Sequence, residues 1–174
     1  MKRREFLVAW PLAVPAAAQY EESRGETPWV PTPEEVVDTM LRLARVTAQD
    51  TVLDLGCGDG RIVVAAARDF GARGIGLDIE PVRIEEANAE ARKAGVDGRV
   101  RFAVQDFHQA SFGEATVVTI YLYTRVMTKL KPKLLAELKP GTRVVAYQFN
   151  GMGEWKPKKT VKKHRHPVYL WIVP

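Results

Sequence analysis

The sequence of 174 residues contains one cysteine, Cys57, and three histidines. A single thiol cannot close an intramolecular disulfide or supply the thiolate set of a structural zinc site, so we predict no metal centre. The sequence also has no internal repeat and no low-complexity tract, and its composition excludes disorder, a collagen-like fold and a disulfide scaffold. The remaining profile, with 46% apolar and 27% charged residues, is typical of one globular domain.

Positive charge is concentrated in the second half of the chain. Residues 20–100 carry 10 Lys and Arg against 16 Asp and Glu, whereas residues 101–174 carry 13 against 4. A strongly basic run at 155–167 could dock an acidic protein, an anionic lipid surface or an RNA backbone. Trp155 is its one candidate for stacking on a nucleic-acid base. Alternatively, the lysines only keep an exposed hairpin from pairing edge to edge.

The first 19 residues have the layout of an export signal. Three bases at positions 2–4 precede an apolar stretch of about nine residues at 6–14, and small residues follow at 16–18. The stretch is too short to span a bilayer, which needs about 20 apolar residues. The paired arginines resemble a twin-arginine signal, so we expect residues 1–19 to be a signal peptide that directs export to the periplasm. A basic N-terminus on a cytoplasmic protein is the alternative.

After a polar lead-in at residues 20–30, residues 31–174 alternate between strand-like and helix-like segments, and Thr32 is predicted to cap the first helix. Five strands are predicted, at residues 51–55, 74–78, 100–104, 116–122 and 142–149. Alternating strands and helices favour parallel pairing through right-handed crossovers. We therefore predict a single α/β domain with a doubly wound, Rossmann-like, mostly parallel sheet. Two further strands at 160–161 and 168–173 have no helix between them, which predicts an antiparallel hairpin at one edge.

The most specific motif is a glycine loop that follows the first strand. Glycines at positions 56, 58 and 60 let the backbone turn tightly and approach a ligand without a Cβ in the way. The dinucleotide-binding fingerprint G-x-G-x-x-G requires a third glycine where this chain has Arg61. Asp54, two residues before the first glycine, would also be a poor neighbour for a pyrophosphate. The spacing therefore disfavours a dinucleotide.

The pattern D-x-G-x-G-x-G from Asp54 to Gly60 resembles the first motif of class I S-adenosylmethionine-dependent methyltransferases, and the resemblance extends over residues 31–150. It implies S-adenosylmethionine as cofactor, with Asp54 at its ammonium group. Asp78 ends the next strand and offers two acceptor oxygens for the ribose hydroxyls, and Asp106 follows the third strand, where the family binds the adenine amino group. The further cofactor-binding residues that we expect are Thr32, Gly56, Cys57, Gly58, Gly60, Ile79 and Phe107.

Four segments are more closely similar to a subgroup of small protein-lysine methyltransferases, namely residues 30–37, 54–63, 118–122 and 138–145. This resemblance implies that Pro31 and Thr32 form part of a cap over the cofactor. It also implies that Tyr121 and Tyr123 lie where the methyl group meets the acceptor and orient it. A pair of half-buried aromatic residues at a strand end is the alternative for the two tyrosines. We interpret Cys57 as a small loop residue rather than a nucleophile.

The expected function is transfer of a methyl group to a protein lysine, with an acidic or membrane-associated protein as partner. A small-molecule methyltransferase and a non-catalytic cofactor-binding module are the alternatives. A nucleic acid acceptor is disfavoured, because residues 119–124 lack the Asn/Asp-Pro-Pro-aromatic motif of enzymes that methylate base amino groups. Gln148 is a further polar candidate for the acceptor site, and His108 is interpreted as a solvated loop residue.

Overall fold

The computed structural model describes residues 29–174. Its seven strands are β1 Thr51–Leu55, β2 Arg73–Asp78, β3 Val100–Val104, β4 Val117–Ile120, β5 Arg143–Tyr147, β6 Lys159–Val161 and β7 Val168–Ile172. Its four helices are α1 Glu34–Leu43, α2 Arg61–Phe70, α3 Pro81–Lys93 and α4 Thr124–Glu137. The predicted signal at residues 1–19 and most of the lead-in lie outside the described residues. Within the described part of the chain, no helix is long and apolar enough to cross a membrane.

The strands form one sheet in the order β3-β2-β1-β4-β5-β7-β6. The first five strands of this order are parallel, and β7 is antiparallel to both of its neighbours. The predicted doubly wound sheet with an antiparallel edge hairpin is confirmed. The strand order reverses between β1 and β4, and open α/β sheets bind ligands at such a switch point, outside the carboxyl ends of the strands.

Side chains of the central strands alternate between two apolar clusters. Leu53 and Val118 face a cluster that contains the buried leucines of α4, whereas Val52 and Val117 face a cluster built with α1 and α2. Because both faces of the sheet are covered, the central strands are almost wholly apolar. Polar side chains of these strands therefore lie at the strand ends, next to the switch point.

Helix α1 starts differently from the prediction. Its N-cap is Pro33, with no side-chain cap, so the prediction that Thr32 caps the helix is wrong. The Pro33 carbonyl instead accepts hydrogen bonds from the amides of Val36 and Val37, while the Thr32 carbonyl accepts one from Nη1 of Arg61 at 3.0 Å. This bond ties residues 29–32, which we call the strap, to the start of α2.

Strands β4 and β5 end earlier than predicted. β4 stops at Ile120 because the chain turns into α4, for which Tyr123 is the N-cap. β5 stops at Tyr147 because Gln148 adopts a left-handed conformation with φ 68°. The residues that follow each strand therefore leave the hydrogen-bonded ladder and pack beside one another at the end of the sheet.

Candidate functional site

A cavity lies at the carboxyl ends of the strands, at the switch point between β1 and β4. The strap closes one side of it, and the loops after β1, β2 and β3 form the floor and the other walls. Asp54 on β1, Asp78 at the end of β2 and Asp106 after β3 all line the cavity. Parallel strands therefore bring together three carboxylates that are far apart in the sequence.

The glycine loop is fixed to the end of β2. Gly56, Gly58 and Gly60 all have positive φ angles, of 76°, 52° and 77°. The amides of Gly56 and Cys57 both donate to the carbonyl of Leu77 at 2.9 Å, and the amide of Gly58 donates to Oδ2 of Asp78 at 2.9 Å. Left-handed φ values are easily adopted only by glycine. The loop therefore needs its glycines for conformation, and it positions Asp78 through the backbone.

Asp54 is buried with its charge uncompensated. Its Oδ1 accepts a hydrogen bond from the hydroxyl of Thr119 at 2.7 Å, and no basic side chain of the described residues forms an ion pair with it. Burial raises the pKa of Asp54 to about 7, and the nearby charges of Asp78 and Asp59 add to the increase. A cationic group on a ligand would therefore stabilise the carboxylate form of Asp54, which burial disfavours in the free protein.

Asp59 and Arg61 form an ion pair that holds the strap. Burial alone would raise the pKa of Asp59, but hydrogen bonds from Arg61 outweigh that effect and lower it. Nη2 of Arg61 lies 2.5 Å from Oδ2 of Asp59, while its Nη1 reaches the Thr32 carbonyl. At the first residue of the strap, the guanidinium of Arg83 lies 4.1 Å from the centroid of the Trp29 ring. Two arginines therefore fasten the strap across the cavity.

An aromatic cluster closes the end of the cavity beside β4 and β5. It consists of Tyr121, Tyr123, Tyr147 and Phe149. Tyr121 lines the cavity, packs on Tyr147 at 4.9 Å between ring centroids, and donates its hydroxyl proton to Oε1 of Gln148 at 3.0 Å. Tyr123 does not line the cavity; it packs edge-on against Phe149 at 5.2 Å and is 37% exposed. The two tyrosines therefore occupy successive positions, Tyr121 inside and Tyr123 at the rim.

The structure brings most of the predicted cofactor residues to this one cavity. Those that line it are Thr32, Asp54, Gly56, Cys57, Asp78, Ile79, Asp106 and Phe107. Gly58 and Gly60 do not line it and instead shape the loop. Burial raises the pKa of the Cys57 thiol well above its usual value, and the charge of Asp54 adds to this effect, so the thiol is not a thiolate nucleophile at neutral pH.

Several residues of the site had no recognisable signal in the sequence. Trp29, Arg61 and Arg83 contribute through contacts between distant parts of the chain, which a local pattern does not show. His108 lines the cavity, packs against Phe107 at 4.8 Å between ring centroids and is half-buried. Among residues 29–174, no group of three His, Cys, Asp or Glu side chains could hold a metal ion.

Comparison with known proteins identifies the family. The family model described as "ANTKMT methyltransferase domain" matches residues 54–159. A protein-lysine N-methyltransferase from Saccharolobus islandicus is 48% identical over 151 residues, which cover 84% of this chain and 93% of the relative. The chain belongs to this methyltransferase family. The predicted resemblance to class I methyltransferases, and to their small protein-lysine subgroup, is confirmed.

Other relatives differ in length and in the acceptor that their names give. This methyltransferase is 29% identical to the adenine nucleotide translocase lysine N-methyltransferase of Mus musculus. The match covers 94% of this chain and 71% of that relative. A crystal structure described as an RNA methyltransferase from Salinibacter ruber, in complex with S-adenosyl-L-homocysteine, is 49% identical and superposes with a TM-score of 0.82. That match covers 83% of this chain and 94% of the solved one.

Proposed function

We propose that this methyltransferase transfers a methyl group from S-adenosylmethionine to a lysine side chain of a protein. The observation that carries the proposal is the buried, uncompensated carboxylate of Asp54 inside a cavity lined by two further strand-end acids. An ammonium group is the natural partner of Asp54, and vicinal hydroxyls are natural partners of a carboxylate such as Asp78. The 48% identity to a protein named for lysine methylation supports the choice of acceptor.

The residues of the cavity fit this cofactor part by part. We assign Asp54 to the ammonium, Asp78 to the ribose hydroxyls, and Asp106 with Phe107 and Ile79 to the adenine. At Gly56 and Cys57 the backbone of the glycine loop can approach the cofactor closely. The strap, which includes Thr32, excludes water from the opposite side of the cofactor. When bound, S-adenosylmethionine supplies a methyl group that is already activated. The protein therefore has to align donor and acceptor, and it needs no nucleophile of its own.

The aromatic cluster suits an amine acceptor. Because the hydroxyl proton of Tyr121 is donated to Gln148, the Tyr121 oxygen is left to accept an N–H from the amine. Burial raises the pKa of Tyr121, and Tyr147 and Tyr123 add to the increase, so Tyr121 stays neutral and orients the amine rather than taking its proton. A dry pocket also lowers the pKa of an entering lysine, which favours the neutral amine that can react. Tyr123 would contact the acceptor chain at the rim.

An RNA acceptor is the second candidate, because the solved relative from Salinibacter ruber is described as an RNA methyltransferase. Trp155, the candidate for stacking on bases, does not support an RNA acceptor. Nε1 of Trp155 donates to the carbonyl of Ile172 at 3.2 Å, and its ring packs against Trp171. Trp155, the one candidate for base stacking, is thus half-buried in the packing between the edge hairpin and the core, so it does not strengthen the case for RNA.

The test supplies labelled S-adenosylmethionine to the purified full-length chain together with cell extract. We expect label that resists nuclease, is released by protease and is recovered as methyllysine. Label lost to nuclease would assign RNA as the acceptor, and label that passes a small-pore filter would assign a metabolite. Binding without any transfer would indicate a non-catalytic module. The Asp54→Asn variant is the control and should transfer no label.

We also propose that residues 1–19 act as the export signal that their sequence resembles. The test compares the full-length chain with an Arg3→Lys/Arg4→Lys variant, because twin-arginine export depends on the arginine pair. Cell fractionation should find the unaltered chain in the periplasm and the variant in the cytoplasm. Recovery of both in the cytoplasm with Met1 intact would overturn the proposal.

A further inference from the structure

The turn between β6 and β7, residues 162–167, presents cations outward and imidazoles inward. Lys162, Lys163 and Arg165 are exposed, whereas His164 and His166 are partly buried between them. None of the three cations forms an ion pair with an acid of residues 29–174. We call this segment the basic turn. The acid that lies against this segment is Glu35, whose Oε1 lies 3.9 Å from Nδ1 of His164, so the charge of the three outward cations is available to a partner.

The basic turn is fixed to the body of the protein on two sides. Nε2 of His164 lies 2.7 Å from the Thr39 hydroxyl on α1, and its side chain is only 6% exposed. On the other side, the Pro167 carbonyl accepts a hydrogen bond from the amide of Gln148 at 2.8 Å, and the ring of His166 packs edge-on against Tyr147 at 6.0 Å. The outward cations therefore extend from an anchored segment.

These anchors place the basic turn beside the acceptor end of the cavity. Gln148, which bonds to Pro167 through its backbone, also accepts the hydroxyl proton of Tyr121 through its side chain. A lysine that approaches Tyr121 therefore brings its own positive charge to the end of the sheet that carries the basic turn. Like charges in proximity slow association and weaken binding unless the incoming chain carries acids that offset them.

We propose that the basic turn docks an acidic segment of the acceptor protein, next to the lysine that is methylated. This inference rests on the proposed function, since it assumes a lysine acceptor at Tyr121. It assigns substrate selection to the exposed cations of the turn, Lys162, Lys163 and Arg165.

An acidic protein segment matches the basic turn better than a membrane or a nucleic acid does. The large exposed apolar side chains of the described residues are Trp29, Val30, Val82, Tyr123 and Leu135, none of which belongs to the basic turn, so the turn itself has none to insert between lipids. Trp155, the neighbouring indole, is half-buried and contacts Ile172 and Trp171, so it is not a free platform for a base. Charge alone would also attract an anionic lipid surface or a phosphate backbone. The acidic protein segment is favoured because the proposed acceptor is a protein lysine, whose own positive charge needs neighbouring acids to offset it.

The test compares two lysine peptides, one flanked by Asp and Glu and one flanked by Ser and Gly. For the unaltered enzyme at low salt we expect a KM about tenfold lower for the acidic peptide, as a few exposed ion pairs would give. The variant Lys162→Glu/Lys163→Glu should lose this advantage while kcat stays the same, and the KM of the neutral peptide should not rise, because the repulsion of its lysine is removed. The variant should also gain a preference for a peptide flanked by Lys, which a merely misfolded variant would not show.

The matched control is Arg92→Glu/Lys93→Glu, which makes the same change in charge at two exposed residues near the end of α3, away from the carboxyl ends of the strands. We expect it to keep the preference for the acidic peptide. Equal KM values for both peptides with the unaltered enzyme, or the same loss in the control, would overturn the docking proposal.

Binding of a fluorescent acidic peptide, measured by anisotropy, separates the two proposals because it needs no turnover. Peptide binding that depends on Lys162 and Lys163 in a protein that methylates no lysine would support the docking surface while the proposed function fails. Lysine methylation without such dependence would give the reverse result. Binding only to RNA oligonucleotides, or only to vesicles of phosphatidylcholine and phosphatidylserine, would overturn the docking proposal.

Discussion

Tyr121 donates its hydroxyl proton to the side-chain carbonyl of Gln148 across 3.0 Å, and Gln148 holds that carbonyl from a left-handed backbone with φ 68°. A non-glycine residue in this region carries about 1 kcal/mol or more of strain. The hydrogen bond from its amide to Pro167 fixes the conformation. The orientation of the inner tyrosine therefore depends on the antiparallel edge of the sheet.

The first prediction concerns this pair. Tyr121→Phe should lower the rate of methyl transfer about tenfold or more, because the amine loses the acceptor that orients it. Gln148→Ala should cause a similar loss, since the Tyr121 hydroxyl is then free to rotate. Single-turnover kinetics measure the transfer step, and calorimetry should show unchanged affinity for the cofactor. The double variant should lose no more than either single one, as for residues that act through one interaction; additive losses would contradict the pairing.

The second prediction is a pH dependence of cofactor binding that arises from Asp54. Below a pH of about 7 this carboxyl is protonated in the free protein. A bound ammonium group stabilises the carboxylate, so binding releases a proton. The affinity for S-adenosylhomocysteine should therefore rise about tenfold per pH unit below 7 and level off above it. Calorimetry in buffers of different ionisation enthalpy measures both the affinity and the released proton, and Asp54→Asn should remove the dependence.

The same carboxyl should lower the stability of the free protein at high pH. Its pKa is raised to about 7 in the folded state, against about 3.9 in an unfolded chain. The folded state therefore binds more protons between these values, and the unfolding free energy falls as pH rises from about 4 to 7. At pH 8 and without cofactor, Asp54→Asn should raise the melting temperature, whereas at pH 4 it should leave it almost unchanged. An equal shift at both pH values would argue against the raised pKa.

A further prediction uses two glycines with similar backbone angles. Gly60 and Gly95 have φ 77° and 68°, but a Cβ on Gly60 would lie 2.8 Å from Ala87 and Phe102, whereas a Cβ on Gly95 would meet nothing within 4 Å. Gly95→Ala should cost about 1 kcal/mol from backbone strain alone. Gly60→Ala should cost about 2–5 kcal/mol, because overpacking adds to the strain. Urea denaturation of both variants measures the difference, and equal losses would contradict the steric explanation.

The parts of the site that could be predicted from the sequence are those set by one strand and its following loop. Asp54, Asp78 and Asp106 each follow or end an apolar run, and a parallel sheet brings the carboxyl ends of such runs to one edge. The strap could not be predicted in this way. In the sequence, Arg61 is distinguished only as the residue in place of a third glycine. In the structure its side chain donates to the carbonyl of Thr32, 29 residues away. No periodic pattern links two such positions.

The edge hairpin also combines features that could be predicted from the sequence with features that could not. Its antiparallel pairing followed from two strand-like segments without a helix between them. The inward direction of His164 and the packing of Trp155 did not follow, because both depend on partners, Thr39 and Trp171, that only the folded chain brings near. Local patterns thus predict elements and strand-end chemistry, whereas contacts between distant elements decide which side chains remain exposed.

The last prediction is that the strap controls how long the cofactor stays bound. Trp29 and Arg83 close it through a cation–π contact at 4.1 Å, an interaction worth about 0.5–2 kcal/mol. Arg83→Ala and Trp29→Ala should each speed dissociation of S-adenosylhomocysteine about fivefold, with little change in the association rate, because an open strap does not hinder entry. Stopped-flow displacement measures both rates. Arg42→Ala, which removes a similar contact with Phe70 that lies outside the cavity, should dissociate at the unaltered rate; equal effects of Arg42→Ala and Arg83→Ala would refute control by the strap.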